Sequence, residues 1–154
     1  LVGSEMCIRD RENIAGIVGM AEALSIAAHE MPYTRNRLIR LRNYFVERVR
    51  HEIPQSRLNG HPYKRLPGNV NFSFAGIDAT ALLVLLEEEG ICASAGSACN
   101  TGQTRISHVI EAIRVPDAYA AGSVRFTMGR DTTKRDVDAC VDALKRSVLI
   151  LRKT

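Results

Sequence analysis

Val70-Asn71-Phe72-Ser73-Phe74 alternates apolar and polar side chains with a period of two. That period sets Val70, Phe72 and Phe74 on one face of a strand and Asn71 and Ser73 on the other, so it predicts a half-buried β-strand. Just beyond it, Gly76 marks a turn and Asp78 suits a helix N-cap. Ala81, Leu82, Leu85 and Leu86 then fall at helical spacing, and Gly90 is placed to stop that helix. Ile91 to Ala93 predict a second strand. Val124-Arg125-Phe126-Thr127 predicts a third, with Val124 and Phe126 turned to the core and Arg125 to the opposite face.

Upstream, the period is helical. Ile14, Ile17, Val18, Ala21, Leu24 and Ala28 recur at i, i+3, i+4, i+7 spacing. Met31-Pro32 is expected to interrupt this helix, because proline disfavours helix at the residue before it. A second helix follows, with Leu38, Leu41, Phe45, Val46 and Val49 on one face, and stops near Pro54. Downstream, Ile106, Val109, Ile110 and Ile113 predict a helix that ends before Pro116. The last helix carries the stripe Val137, Cys140, Val141, Leu144, Val148 and Leu151, with Thr132 or Thr133 as its cap. The order is two helices, then β, α, β, loop, α, β, α. It predicts an α/β fold: a small sheet flanked by helices, covered on one side. Leu1 to Arg11 carry no clear period and read as a foreign leader, such as translated adapter sequence, leaving residues 12–154 as the domain.

The 154 residues suit one domain, and 45% hydrophobic with 25% charged residues is ordinary globular usage. The net charge is +4, with Arg35, Arg37, Arg40, Arg42, Arg48 and Arg50 clustered. These arginines alternate with apolar residues at helical spacing and lack an aromatic platform. They read as a solvated helix face, not a nucleic-acid surface. No stretch approaches the roughly 18 apolar residues of a membrane span, so a soluble protein is expected. The four cysteines form no CxxC pair, which favours a reducing compartment, the cytoplasm or an organelle matrix. Cys92, Cys99 and His108 match no common zinc spacing, so no metal site is expected.

The run Ala93-Ser94-Ala95-Gly96-Ser97-Ala98-Cys99-Asn100-Thr101-Gly102 has almost no packing value. Its small side chains let a loop move and approach a ligand closely. Cys99 is therefore the leading candidate nucleophile, with Arg105 and the following helix favouring the thiolate. A plain surface thiol is the competing reading. Arg125 is the second candidate, since an arginine on a strand is a rigid fork for a carboxylate. An exposed strand arginine is its alternative. His108 follows the loop and either tunes Cys99 or is a helix-surface imidazole, the latter preferred. Cys140 lies on an apolar stripe and reads as a buried structural thiol, Cys92 as a packed strand residue, and Cys7 as part of the leader. Arg130 and Asp131 read as a local pair or the end of a turn.

The string Ser94-Ala95-Gly96-Ser97-Ala98-Cys99, followed by Ser107-His108-Val109, resembles the active-site loop of pyridoxal-phosphate-dependent cysteine desulfurases, in their long-loop class. Glu12-Asn13-Ile14-Ala15-Gly16-Ile17-Val18-Gly19 looks like the start of that family's C-terminal domain. Leu66-Pro67-Gly68-Asn69-Val70-Asn71-Phe72-Ser73 is similar to its first strand there. Gly122-Ser123-Val124-Arg125-Phe126-Thr127-Met128-Gly129-Arg130 resembles the late strand with the substrate-carboxylate arginine.

The resemblance implies the C-terminal, smaller domain of the fold-type I pyridoxal-phosphate transferase architecture. It implies L-cysteine as substrate, pyridoxal phosphate as electron sink, and Cys99 as the thiolate that takes the substrate sulfur as a persulfide while alanine leaves. It implies Arg125 as the carboxylate ligand, a sulfur acceptor such as an iron–sulfur scaffold protein, and a homodimer at full length. Several features depart from the family pattern. The cofactor lysine belongs to a large domain that is absent here. Ile8-Arg9-Asp10-Arg11 stands where a phosphate-binding Ser-Gly-Thr segment is expected, and Arg114 where a helix-ending glycine is usual. The chain alone is thus expected to be inactive. The competing readings are a selenocysteine lyase or another class V aminotransferase-like enzyme, and a non-enzymatic basic α/β binding module.

Overall fold

A computed structural model of the chain describes residues 12–95 and 107–153. The leader reading and Cys7 lie outside these residues. The chain divides into two compact units, Leu1–Arg35 and Asn36–Thr154.

Helix α1 runs Ile14–Glu52 without a break, with Pro32 inside it. The two helices expected on either side of Met31-Pro32 are therefore one. An internal proline removes one backbone bond and crowds the carbonyl four residues earlier. Here both Pro32 and Ala28 are exposed, where water can satisfy the freed carbonyl. The apolar stripe of the first unit is present but uncovered. Ile14 is 69% exposed and Leu24 63%. Contrary to the expectation that no stretch approaches a membrane span, one 18-residue window of α1 is apolar enough to cross a membrane by length and composition alone.

In the second unit, three strands form an antiparallel sheet in the order β1-β2-β3: β1 is Ser56–Leu58, β2 Asn69–Phe74 and β3 Ser123–Thr127. The remaining helices are α2 (Ala79–Glu88), α3 (His108–Ala112), α4 (Asp117–Ala120) and α5 (Lys134–Leu151). Strand β2 and the inward Val124 and Phe126 of β3 are as the alternation predicts. Strand β1 and helix α4 are additions, both too short to show a period. The strand expected over Ile91–Ala93 is not formed; only Ser94 pairs there, as a single bridge to Arg125.

One sheet face carries the core. Val70, Phe72, Phe74 and Val124 are fully buried among Phe45 and Val49 of α1, Leu82 and Leu86 of α2, and Val141 and Leu144 of α5. The Phe45 ring lies 5.2 Å from that of Phe126 and 6.3 Å from that of Phe72. The caps follow their sequence signals. Asp78 accepts from the Ala81 amide. Thr133, one of the two threonines named, forms a reciprocal capping box with Asp136. The backbone also requires glycine at Gly122, where a Cβ would stand 2.2 Å from the Phe74 carbonyl oxygen.

The basic stretch of α1 is not simply a solvated face. Arg37 donates to the carbonyls of Gly129, Arg130 and Thr132, holding the turn after β3. Arg48 pairs with Glu52, Asp138 and Asp142. Arg42 is buried, and burial lowers its pKa. Only Arg35, Arg40 and Arg50 are exposed as expected.

Candidate functional site

The opposite sheet face is polar. Strand alternation puts Asn69, Asn71 and Ser73 of β2 there with Ser123, Arg125 and Thr127 of β3. The register sets Asn71 directly opposite Arg125 and Ser73 opposite Ser123. Asn71 Oδ1 accepts from Asn59 Nδ2 at 2.6 Å and from Ser123 Oγ at 3.1 Å. Asn59 Nδ2 also donates to Ser73 Oγ at 2.7 Å, and Asn59 itself is only 4% exposed. Arg65 donates to the carbonyls of Asn59 and His61, which fixes the chain leaving β1. Burial, then the charges of Arg42 and Arg50, lower the Arg65 pKa.

This face forms the wall of a cavity of about 360 Å³, lined among others by Asn59, Asn71, Ser123, Arg125, Ser107 and His108. Arg125 is half-buried and reaches it from the middle of β3. Its backbone is fully engaged on the free edge of β3: its amide donates to the Ser94 carbonyl at 2.7 Å, and its carbonyl accepts from the Ser94 amide at 3.1 Å. Ser107 caps α3 by accepting from the Val109 amide. The exposed His108 follows it. Ser94 therefore meets the Arg125 backbone, while Ser107 and His108 line the cavity itself.

Cys99 and Arg105 lie outside the described residues. Cys92 is exposed, not packed, because no strand forms around it. Cys140 packs against the core, and burial pushes its thiol up to about 12, so it is inert at neutral pH. Arg130 and Asp131 form a loose, exposed ion pair at 3.9 Å. Arg114 adopts φ +53° directly after α3, the left-handed position where the family resemblance expects glycine. Reading single elements missed Asn59, Asn71 and Ser123. The polar half of the β2 alternation was visible, but only the register shows what it faces.

Fold and site together define an α/β domain whose small sheet buries one face and opens the other, arginine-bearing face to a cavity. The chain belongs to the aminotransferase class-V family, whose sequence profile matches residues 10–140. It is 45% identical over 141 residues to the cysteine desulfurase IscS of Dictyoglomus turgidum, covering 92% of this chain and 36% of that protein. It is 41% identical to the cysteine desulfurase IscS of Methanosarcina thermophila, covering 92% of this chain and 35% of that protein. Among solved structures it is similar to a NifS-like protein, with a TM-score of 0.77 and 25% identity, over 93% of this chain and 35% of that one. The chain thus spans about a third of the length of the curated relatives it matches.

Proposed function

We propose that this chain is the substrate-gripping and sulfur-accepting part of a cysteine desulfurase. Arg125 binds the carboxylate of L-cysteine, and Cys99 takes its sulfur. One observation carries the reading. Ser94 is backbone-paired to Arg125, and Ser107 and His108 line the Arg125 cavity. Cys99 is five positions beyond Ser94, so chain length alone keeps it within about 18 Å of that pairing.

The chemistry follows from these residues. A guanidinium fork on a strand orients a carboxylate by two parallel hydrogen bonds. The Cys99 thiolate attacks the substrate sulfur, forming an S–S bond as the carbon–sulfur bond breaks. The carbon keeps that electron pair, gains a proton and leaves as alanine. The persulfide then passes its outer sulfur to an acceptor such as an iron–sulfur scaffold protein.

The family implies pyridoxal phosphate, which when bound supplies the electron sink for such a cleavage. The cavity offers no lysine among its described lining residues. These residues by themselves do not fit the cofactor, and we infer that it is held by parts of a longer protein outside this chain. In the same reading, residues 12–154 form the C-terminal domain of that protein, which is a cytoplasmic or organellar homodimer.

The test compares the longer protein, its Cys99→Ser variant and the isolated chain, each given L-cysteine and pyridoxal phosphate. The expected result is one extra sulfur atom on the Cys99 peptide by mass spectrometry in the parent, none in the variant, and no alanine from the isolated chain. Sulfur transfer undiminished in the variant would remove Cys99 from its role. Alanine from the isolated chain would place the cofactor site within it.

A further inference from the structure

We propose that Asn71 is a second ligand of the carboxylate that Arg125 binds, donating from Nδ2, and that Asn59 and Ser123 hold it in that orientation. The proposal rests on the reading of Arg125 just given and adds a residue to it.

The register brings the two groups together. Arg125 spends both its backbone amide and carbonyl on Ser94, so its pairing with Asn71 is the non-hydrogen-bonded kind. In such antiparallel pairs the Cα atoms stand only about 4.5 Å apart and the side chains are close. Both side chains rise from the same polar face into the same cavity.

The hydrogen bonds then orient the amide. Asn71 Oδ1 is occupied twice, by Asn59 Nδ2 at 2.6 Å and Ser123 Oγ at 3.1 Å. The amide oxygen is thereby turned into the network, leaving Nδ2 as the other pole of the group. Nδ2 makes no hydrogen bond among the described residues. The network behind it is stiff. Asn59 uses both Nδ2 hydrogens, on Asn71 and Ser73, and its backbone amide donates to the Asn71 carbonyl at 2.9 Å. Asn71 cannot turn its amide over without stranding two buried donors.

A carboxylate has about four lone-pair sites, and a guanidinium fork fills two. A neutral amide donor fills a third without adding charge. The pair therefore selects amino acids over amines.

The experiment uses the full-length enzyme and measures the dissociation constants of L-cysteine and of cysteamine, its analogue without the carboxylate. Asn71→Ala, Asn71→Asp and Arg125→Ala are compared with the parent. The Asp variant keeps an acceptor for Asn59 and Ser123 and so guards against simple misfolding. The expected result is about tenfold weaker L-cysteine binding by both Asn71 variants, with cysteamine binding within twofold of the parent. A merely structural role would weaken both ligands alike, and that result overturns the proposal. So does unchanged L-cysteine binding in Asn71→Ala while Arg125→Ala weakens it, which leaves the Arg125 reading standing. Unchanged binding in Arg125→Ala removes both.

Discussion

On one side of β2 and β3 stand Val70, Phe72, Phe74, Val124 and Phe126, none more than 4% exposed. On the other stand Asn71, Ser73, Ser123 and Arg125: Asn59 bonds both Asn71 and Ser73, Ser123 bonds Asn71, and Asn71, Ser123 and Arg125 line a cavity. The same ten or so residues build a hydrophobic core and a polar site because consecutive strand residues point opposite ways. The faces are stabilised differently. The core face depends on apolar burial and on the aromatic contacts of Phe45. The polar face has two serines and an asparagine that are buried at a cost unless bonded to one another. Rigidity on the first face is what lets the second hold its donors in place.

Asn71 and Phe72 are neighbours in sequence and should have opposite phenotypes. Phe72→Ala empties a fully buried site, and the expected loss is about 3–5 kcal/mol of stability, read by denaturant unfolding. A loss below 1 kcal/mol would mean that the two faces are not divided as described. A smaller effect separates the helix under each face. On the core side α2 is followed by Gly90 at φ +75°, whereas α3, beside the cavity, is followed by Arg114 at φ +53°. A left-handed conformation suits glycine and strains arginine. Arg114→Gly should therefore stabilise by about 0.5–1 kcal/mol, seen as a higher melting temperature, whereas Gly90→Arg should do the reverse.

Much of this division was legible in the sequence. The alternation of Val70 to Phe74 and of Val124 to Phe126 assigned each residue to its face, and Arg125 to the polar one. The Asp78 and Thr133 caps and the Gly90 stop were legible because each is a local signal. What escaped was non-local or outweighed. Strand β1 has only three residues, so no period could reveal it. Asn59 gains its role from Asn71 and Ser73, and that pairing depends on sheet register. Pro32 sits within a helix because its surroundings are exposed, so water can take up the freed carbonyl and the usual local cost did not end the helix there. Arg42 is buried by the packing of α1, which helical spacing alone did not separate from its exposed neighbours. The role proposed for Cys99 rests on its place in the sequence between Ser94, which pairs with the Arg125 backbone, and Ser107, which lines the cavity.

The most direct test of the central claim, that the polar face seats the substrate, is a crystal structure of the full-length protein with L-cysteine or L-alanine bound. The account predicts the amino-acid carboxylate within about 2.7–2.9 Å of the Arg125 guanidinium nitrogens. A carboxylate held by other groups, with Arg125 making no contact to it, would contradict the account.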